Sequence, residues 1–366
     1  MSGKLVWLAA FVAAYWAYCL YWGVTAGRMV GSASDFFVAD RRLPPWVFVV
    51  AASAMSFSGW TFLGDPALIF RDGFQFAEIA LCAAIAIPLT GVLFLKRQWL
   101  LGKRFGYVTP CDMFGDYFGG EGMRLLVLLV ALVFAIPFVG MQLSASGYLI
   151  QLLSGGAVDR YAAMWVLTAV VFLYVCCGGM RAAAYVGTLQ GLLLAAGIVA
   201  IGLIAYGKMD GFGAFNLAMA KLGATALGPW GTSAAGYNAY FSIPGVVQFT
   251  AGLGRQVPVG GLWTASMILT YGFALMGIQA APAFTMWGFS SRSPKGFAAQ
   301  QVWASAAVVG LILVVFPVAL GMGAHFLGAS HTDTAAGLAI RAGWLHDLGR
   351  GRQGDLIGFY LAAIAD

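Results

Sequence analysis

The sequence predicts an all-α membrane protein, a multi-span helical bundle with about eight transmembrane helices. Only 9% of its 366 residues are charged, where soluble domains average about 25%. Hydrophobic residues make up 61% of the chain, and apolar stretches of roughly 20 residues recur along it, each near the length that crosses about 30 Å of hydrocarbon. This composition excludes a water-soluble globule, a disordered chain and a disulfide scaffold.

Eight apolar stretches are predicted to cross the membrane. They are 5–26, 46–70, 77–95, 125–153, 162–177, 189–206, 262–288 and 302–327. The first is too long for a signal peptide and lacks a small-residue cleavage site. The segments 208–261 and 328–366 are predicted to be outer segments, and the former has room for a short interfacial helix near 212–222.

The distribution of basic residues predicts the orientation of these spans. If the N-terminus is outside, the cytoplasmic loops hold eleven Lys and Arg residues and the short outer segments hold three. Short cytoplasmic loops are enriched in Lys and Arg. We therefore expect a multi-pass protein of a cell membrane of the bacterial inner-membrane type, with its N-terminus outside.

Two of the predicted spans are interrupted. The span 46–70 contains Ser56-Phe57-Ser58-Gly59 and then Gly64-Asp65-Pro66, and the span 262–288 contains Gly277-Ile278-Gln279-Ala280-Ala281-Pro282. Pro removes a helical hydrogen bond and Gly permits irregular backbone, which membranes tolerate only where protein or water satisfies it. Two such breaks indicate the central site of a transporter; the alternative is two kinked helices with no ligand.

The two interrupted spans also suggest an internal repeat within a single transmembrane transporter domain, 1–366. Skipping a peripheral first helix (5–26), the range 46–206 supplies five helices, and the range 262–327 begins a second set. This count places the two broken helices in opposite orientations, as an inverted repeat requires.

A further motif precedes the first broken span. The stretch Ser34-Asp35-Phe36-Phe37-Val38-Ala39-Asp40-Arg41-Arg42-Leu43-Pro44-Pro45-Trp46, the following Ser56–Pro66 block and the later Gly178-Gly179-Met180-Arg181 resemble the sodium:solute symporter family in order and spacing. The resemblance implies a LeuT-type inverted-repeat architecture. It also implies sodium-coupled symport of a small organic solute by alternating access, with the sodium ion as the coupling ion.

The resemblance places the sodium ligands at the first break. It implies that the carbonyl groups of Ala54 and Phe57 hold the ion, and that Ser56 and Ser58 can add side-chain oxygens. An unwound turn presents carbonyl dipoles to a cation without a buried counter-charge.

Substrate contacts are expected near both breaks. The candidates are Trp60, Asp65, Gly277, Gln279 and Pro282. Asp65 either lines a vestibule or extends to water from the end of its span, because a charge within a span is costly. Gln279 lies at a break and contacts substrate or a neighbouring helix, and Trp60, like Trp287, either gates the solute or packs.

This chain departs from the family pattern in three places. Val186-Gly187 stands where the family usually has Thr-Asp, the aromatic positions around Gly277 are replaced, and no span with the family's Ser/Thr pair precedes the end of the chain at Asp366. The second repeat is therefore expected to be incomplete, with a companion chain supplying the missing helices. The alternative function is a truncated, non-transporting remnant, or a membrane sensor or anchor module of a split symporter.

Other classes of function find no support in the sequence. No Ser/His/Asp or Cys/His set converges on one membrane depth, so no enzyme activity is expected. The basic cluster Lys96–Arg104, with Trp99 and Phe105, could suggest nucleic-acid or lipid-headgroup binding, but the topology already explains it, and no nucleic-acid partner is expected. Gln190 is expected to form an interhelical hydrogen bond. The predicted partners are thus the lipid bilayer and a small solute.

Overall fold

The structure, a computed structural model, describes residues 3–55, 69, 91–224, 265–277 and 281–302. Within these ranges the regular elements are helices: α1 Gly3–Gly27, α2 Ala33–Val38, a 3-10 turn Ala39–Arg41, α3 Pro45–Ala54, the described part of α4 at 91–105, α5 Pro110–Phe118, α6 Glu121–Leu153, α7 Arg160–Lys208, α8 Gly211–Ala224, α9 Ala265–Gly277, α10 Pro282–Ser290 and α11 Lys295–Ala298. The chain divides into two compact units, the first with residues 1–58, 86–194 and 276–309, the second with 59–85, 195–275 and 310–366.

Three helices in the described ranges are long and apolar enough to cross a membrane: Leu5–Gly27, Glu121–Gln151 and Arg160–Gly207. The last has 48 residues and consists of two helical parts that meet at a kink at Gly179. It therefore contains the two predicted spans 162–177 and 189–206. Our prediction of a loop between these two spans is wrong. The helix resumes directly after a single non-helical residue, Gly179 (φ 56°, ψ −146°).

The other predicted spans are described in part. Helix α3 ends after ten residues at Ala54, and the rest of the span 46–70 lies outside the described residues, apart from residue 69. Helix α4 continues to residue 105, ten residues beyond the predicted end of the span 77–95. Lys and Arg are good helix formers with long apolar stems, so a basic cluster marks a membrane boundary without ending a helix. The predicted short helix near 212–222 is confirmed as α8.

The core of the first unit forms around α3. Val47, Phe48 and Ala51 are at most 1% exposed. They belong to one buried cluster with Leu95 and Trp99 of α4, Trp287 of α10 and Phe297 of α11. The rings of Phe48 and Phe297 lie 4.9 Å apart. Helices α3, α4, α10 and α11 therefore pack as one body, and Trp287 is a packing residue in it.

Helix α1 packs closely on α7. A Cβ atom at Gly23 would lie 2.8 Å from the Tyr174 Cα atom, and one at Gly27 would lie 2.7 Å from the Cys177 carbonyl oxygen. Small residues at i and i+4 let membrane helices approach in this way. The interhelical hydrogen bond of Gln190 stays a prediction.

Candidate functional site

The first predicted break directly follows α3, whose last residue is Ala54. Two glycines of α7 let that helix approach α3 here. A Cβ atom at Gly191 would lie 3.0 Å from the Cβ atom of Ala54, and one at Gly187 would lie 3.5 Å from the Cβ atom of Ala51. Position 187, where the family pattern has Asp, thus faces the apolar side of α3.

Only one of the four predicted sodium ligands belongs to the described part of the chain. Ala54 is 8% exposed, at a helix end where carbonyl groups lack intrahelical partners. Phe57, Ser56 and Ser58 lie outside the described residues, as do Trp60, Asp65 and Gln279. The nearby hydroxyl of Ser53 donates a hydrogen bond of 2.6 Å to the Val49 carbonyl, so it is committed to its own helix.

The second predicted interruption is present in the structure. Helix α9 ends at Gly277 and α10 begins at Pro282, preceded by Ala281 in extended conformation (φ −61°, ψ 144°) without a side-chain cap. A Cβ atom at Gly277 would meet no atom of the described residues within 4 Å. The break therefore offers open space beside Gly277 and the partially positive N-terminus of a helix at Pro282.

The segment that leads into α3 has an unusual backbone. We call residues 33–46 the leading segment. Three consecutive residues in it, Ala39, Asp40 and Arg41, have φ of 50°, 49° and 55°. Left-handed backbone costs roughly 1–2 kcal/mol for each residue with a Cβ atom, so contacts elsewhere must stabilise this turn.

Arg41 supplies one set of these contacts. Its Nη2 atom donates hydrogen bonds to the carbonyl oxygens of Tyr107 (2.8 Å) and Gly102 (3.1 Å), and burial lowers the pKa of the guanidinium, against the opposing effect of Asp40. Because charged hydrogen bonds are stronger than neutral ones, Arg41 ties the leading segment to the end of α4.

Leu43 supplies a second set of contacts, to the residues that follow α10. The Leu43 N–H group donates to the Ser290 carbonyl (3.2 Å), and the Arg292 N–H group donates to the Leu43 carbonyl (3.0 Å). The Trp99 indole donates to the Ser291 carbonyl at 2.9 Å. The half-helices α3 and α10, one from each predicted interrupted span, are thereby tied together at one end.

An ion pair ties the leading segment to α7. The Arg181 Nη2 atom lies 2.6 Å from the Asp35 Oδ1 atom, and the two side chains are only 19% and 12% exposed. Just before Arg181, Gly179 packs so closely that a Cβ atom there would lie 2.3 Å from the Phe36 carbonyl oxygen. Helix α2 therefore packs against the bend in α7.

The sequence analysis did not predict the contacts of Asp35, Arg41 and Arg181. It used these residues only as parts of a family motif or as charges in loops. The charge count did predict that their loops share one side of the membrane, and the hydrogen bonds above bring the loops together. We call this region, with the leading segment, the end of α4 and residues 290–295, the basic end.

Long apolar helices, together with a predicted span in which a helix begins anew at Pro282 after an extended residue, are typical of secondary transporters. The family model of the sodium:solute symporter family matches residues 36–240, and the chain belongs to this family. The family prediction and the predicted fold class, an all-α membrane bundle of LeuT-type architecture, are confirmed.

Individual relatives are more distant. The chain is 24% identical over 297 residues to the high-affinity proline transporter PutP of Bacillus subtilis, which covers 75% of this chain and 60% of the relative. It is 26% identical over 171 residues to the sodium/pantothenate symporter of Escherichia coli, 46% of this chain and 34% of the relative. The matched region thus spans less than two thirds of either relative.

A solved structure shares the fold. It is described as the substrate-bound outward-open state of a Na+-coupled sialic acid symporter, with a TM-score of 0.67 and 18% identity over 97% of this chain and 69% of that one. The family and these neighbours are transporters and not enzymes, in agreement with the sequence prediction. They give no support to a non-transporting remnant.

Proposed function

We propose that the chain carries out sodium-coupled symport of a small organic solute by alternating access. The observation that supports this most strongly is the interruption between Gly277 and Pro282 inside a predicted membrane span. Its half-helix α10 is tied to α3 through Leu43 and Ser291. Because the two half-helices share this joint and one packed core, they move as a unit when the site changes its exposure.

The proposed sodium site lies where α3 ends. The carbonyl groups of Ala54 and Phe57 and the hydroxyls of Ser56 and Ser58 would hold the ion, since sodium is a hard cation that prefers oxygen ligands. Ala54 supports this site because it is the last residue of α3. Gly191 adds support, because the missing side chain there lets α7 close the site from the side.

The proposed substrate contacts are the residues at the two breaks, Trp60, Asp65, Gly277, Gln279 and Pro282. Open space beside Gly277 leaves room for a solute. The N-terminus of α10 has no side-chain cap, and such helix ends favour anionic groups. A solute with a carboxylate therefore fits this break best.

The proposal includes a setting in the membrane. We expect a bacterial-type inner membrane, the N-terminus outside and the basic end in the cytoplasm. The division into a peripheral helix, a first repeat and the start of a second repeat stays a prediction, as does a companion chain.

Uptake into proteoliposomes tests the proposal. We expect an inward sodium gradient, compared with an equal potassium gradient, to stimulate uptake of at least one solute severalfold. The panel follows the relatives' names: proline, pantothenate, sialic acid, glucose and a monocarboxylate. Gly277→Leu should abolish that uptake by filling the space at the break, whereas Gly272→Leu, also in open space on α9, should retain it. Folded protein with no sodium-stimulated uptake of any of these solutes would contradict the proposal.

A further inference from the structure

One surface of α4 carries a cationic patch that the transport mechanism does not use. Lys96, Arg97, Lys103 and Arg104 are all exposed. They form two i, i+7 pairs, and this spacing places them on one side of the helix. The opposite side is buried, with Leu95 at 3% and Trp99 at 8% exposure. We call the four residues the α4 patch.

The α4 patch has no counter-charge among the described residues, unlike several other cations of the chain. Arg181 pairs with Asp35, Arg42 with Asp40 and Arg124 with Glu121. None of the four cations of the patch forms an ion pair within the described part of the chain. Its four charges are thus uncompensated by the part of the chain that the structure describes, and an anion from outside the protein would neutralise them.

The same side of α4 is apolar farther from the basic end. Val92, Leu93 and Leu100 are 57%, 50% and 50% exposed, and Val92 and Leu93 each lie four residues before a cation of the patch. In a membrane protein such a side faces acyl chains. Lys96 and Arg97 lie about 10 Å deeper along the helix than Lys103 and Arg104. The long side chains of Lys96 and Arg97 can reach the lipid headgroups from that depth.

Aromatic rings lie beside both shallower cations of the patch. The Lys103 Nζ atom lies 4.9 Å from the centroid of the Trp99 ring, and the Arg104 guanidinium lies 5.4 Å from that of Phe105. Aromatic residues concentrate at the membrane–water interface. The exposed ring of Phe105 thus supports a position of the shallower cations at the depth of lipid phosphates.

We propose that this side of α4 binds an anionic phospholipid. Its phosphate lies among Lys96, Arg97, Lys103 and Arg104, and its acyl chains lie along Val92, Leu93 and Leu100. Charge alone would bind any anion. The continuous apolar surface beside the charges, on a membrane helix, selects a lipid over a soluble phosphate.

Native mass spectrometry of the full chain in a neutral detergent tests this proposal, with phosphatidylglycerol and phosphatidylcholine of the same acyl chains as probes. Insertion orientation has no bearing on binding in detergent. We expect phosphatidylglycerol to bind more tightly than phosphatidylcholine. Each of the double variants K96Q/R97Q and K103Q/R104Q should weaken phosphatidylglycerol binding about 10-fold, and soluble glycerol 3-phosphate should not displace the lipid.

The control variant is R28Q/K295Q. It also removes two exposed cations, outside the α4 patch, that have no ion-pair partner among the described residues. We expect it to keep phosphatidylglycerol affinity within about twofold. Melting temperatures in detergent establish that each variant is folded. The proposal is overturned by unchanged affinity in the α4 variants, by an equal loss in the control, by equal binding of the two lipids, or by displacement with glycerol 3-phosphate.

Discussion

Replacing Gly179 by alanine is expected to lower the free energy of unfolding by about 4 kcal/mol. Two effects add at this position. The backbone (φ 56°, ψ −146°) belongs to a region that residues with a Cβ atom avoid. A Cβ atom would also lie 2.3 Å from the Phe36 carbonyl oxygen. Because this oxygen belongs to the backbone of α2, relieving the clash requires α2 to shift away from α7. Unfolding of the purified chain in mixed micelles with increasing denaturing detergent measures the change.

Gly197→Ala is the matched control within the same helix. A Cβ atom at Gly197 would meet no atom within 4 Å, and the residue does not have a positive φ. Alanine is the better helix former by about 0.5–1 kcal/mol, so this variant should be slightly more stable than the parent. If Gly179→Ala unfolded at the same detergent concentration as Gly197→Ala, the close approach of Phe36 to the bend would be refuted.

Replacing Arg181 by glutamine is expected to lower the free energy of unfolding by about 3 kcal/mol. The guanidinium lies 2.6 Å from the Asp35 carboxylate, and both side chains are mostly buried. The variant therefore leaves a nearly buried carboxylate without its counter-charge. The same unfolding assay, applied to Arg181→Gln, Asp35→Asn and the double variant, measures the coupling energy. We expect the double variant to be less destabilised than the sum of the single variants.

The exposed pair of Arg42 and Asp40 provides the comparison. Its N–O distance is 3.0 Å, but the side chains are 77% and 42% exposed. Solvent-exposed pairs contribute at most about 1 kcal/mol, so Arg42→Gln should change stability little. Additive effects of the Asp35 and Arg181 variants would show that the ion pair does not hold α2 against α7.

The hydrophobic pattern alone predicted the class of fold and most of the described helices. Long apolar stretches report directly on burial in lipid, so α1, α6 and the two parts of α7 were visible. Helix ends were harder. The cluster Lys96–Arg104 looked like a loop and is helical in the structure, since charge marks depth in the membrane and helix formers continue past it. The break at Gly277 and Pro282 was predictable because Pro and Gly carry local backbone information.

The joints at the basic end could not be predicted from the sequence. Arg41 reaches Gly102 and Tyr107, which are 61 and 66 residues away, and Leu43 pairs with Ser291. Such contacts depend on how helices distant in sequence pack, and no periodicity encodes them. The left-handed turn at Ala39–Arg41 was equally hidden, because none of its residues is a glycine. Sequence reasoning therefore identified one end of the proposed site and missed the contacts that tie its half-helices together.

Equilibrium binding of radioactive sodium to the purified chain tests most directly whether the first broken helix holds the coupling ion. We expect saturable binding that excess potassium does not abolish. The double variant Ser56→Ala, Ser58→Ala should weaken it at least about 10-fold, since each lost charge-assisted contact contributes on the order of 1.5–3 kcal/mol. Ser53→Ala should bind like the parent, because the Ser53 hydroxyl already donates to the Val49 carbonyl. A folded chain without saturable sodium binding, or one that loses it equally in Ser53→Ala, would contradict the assignment.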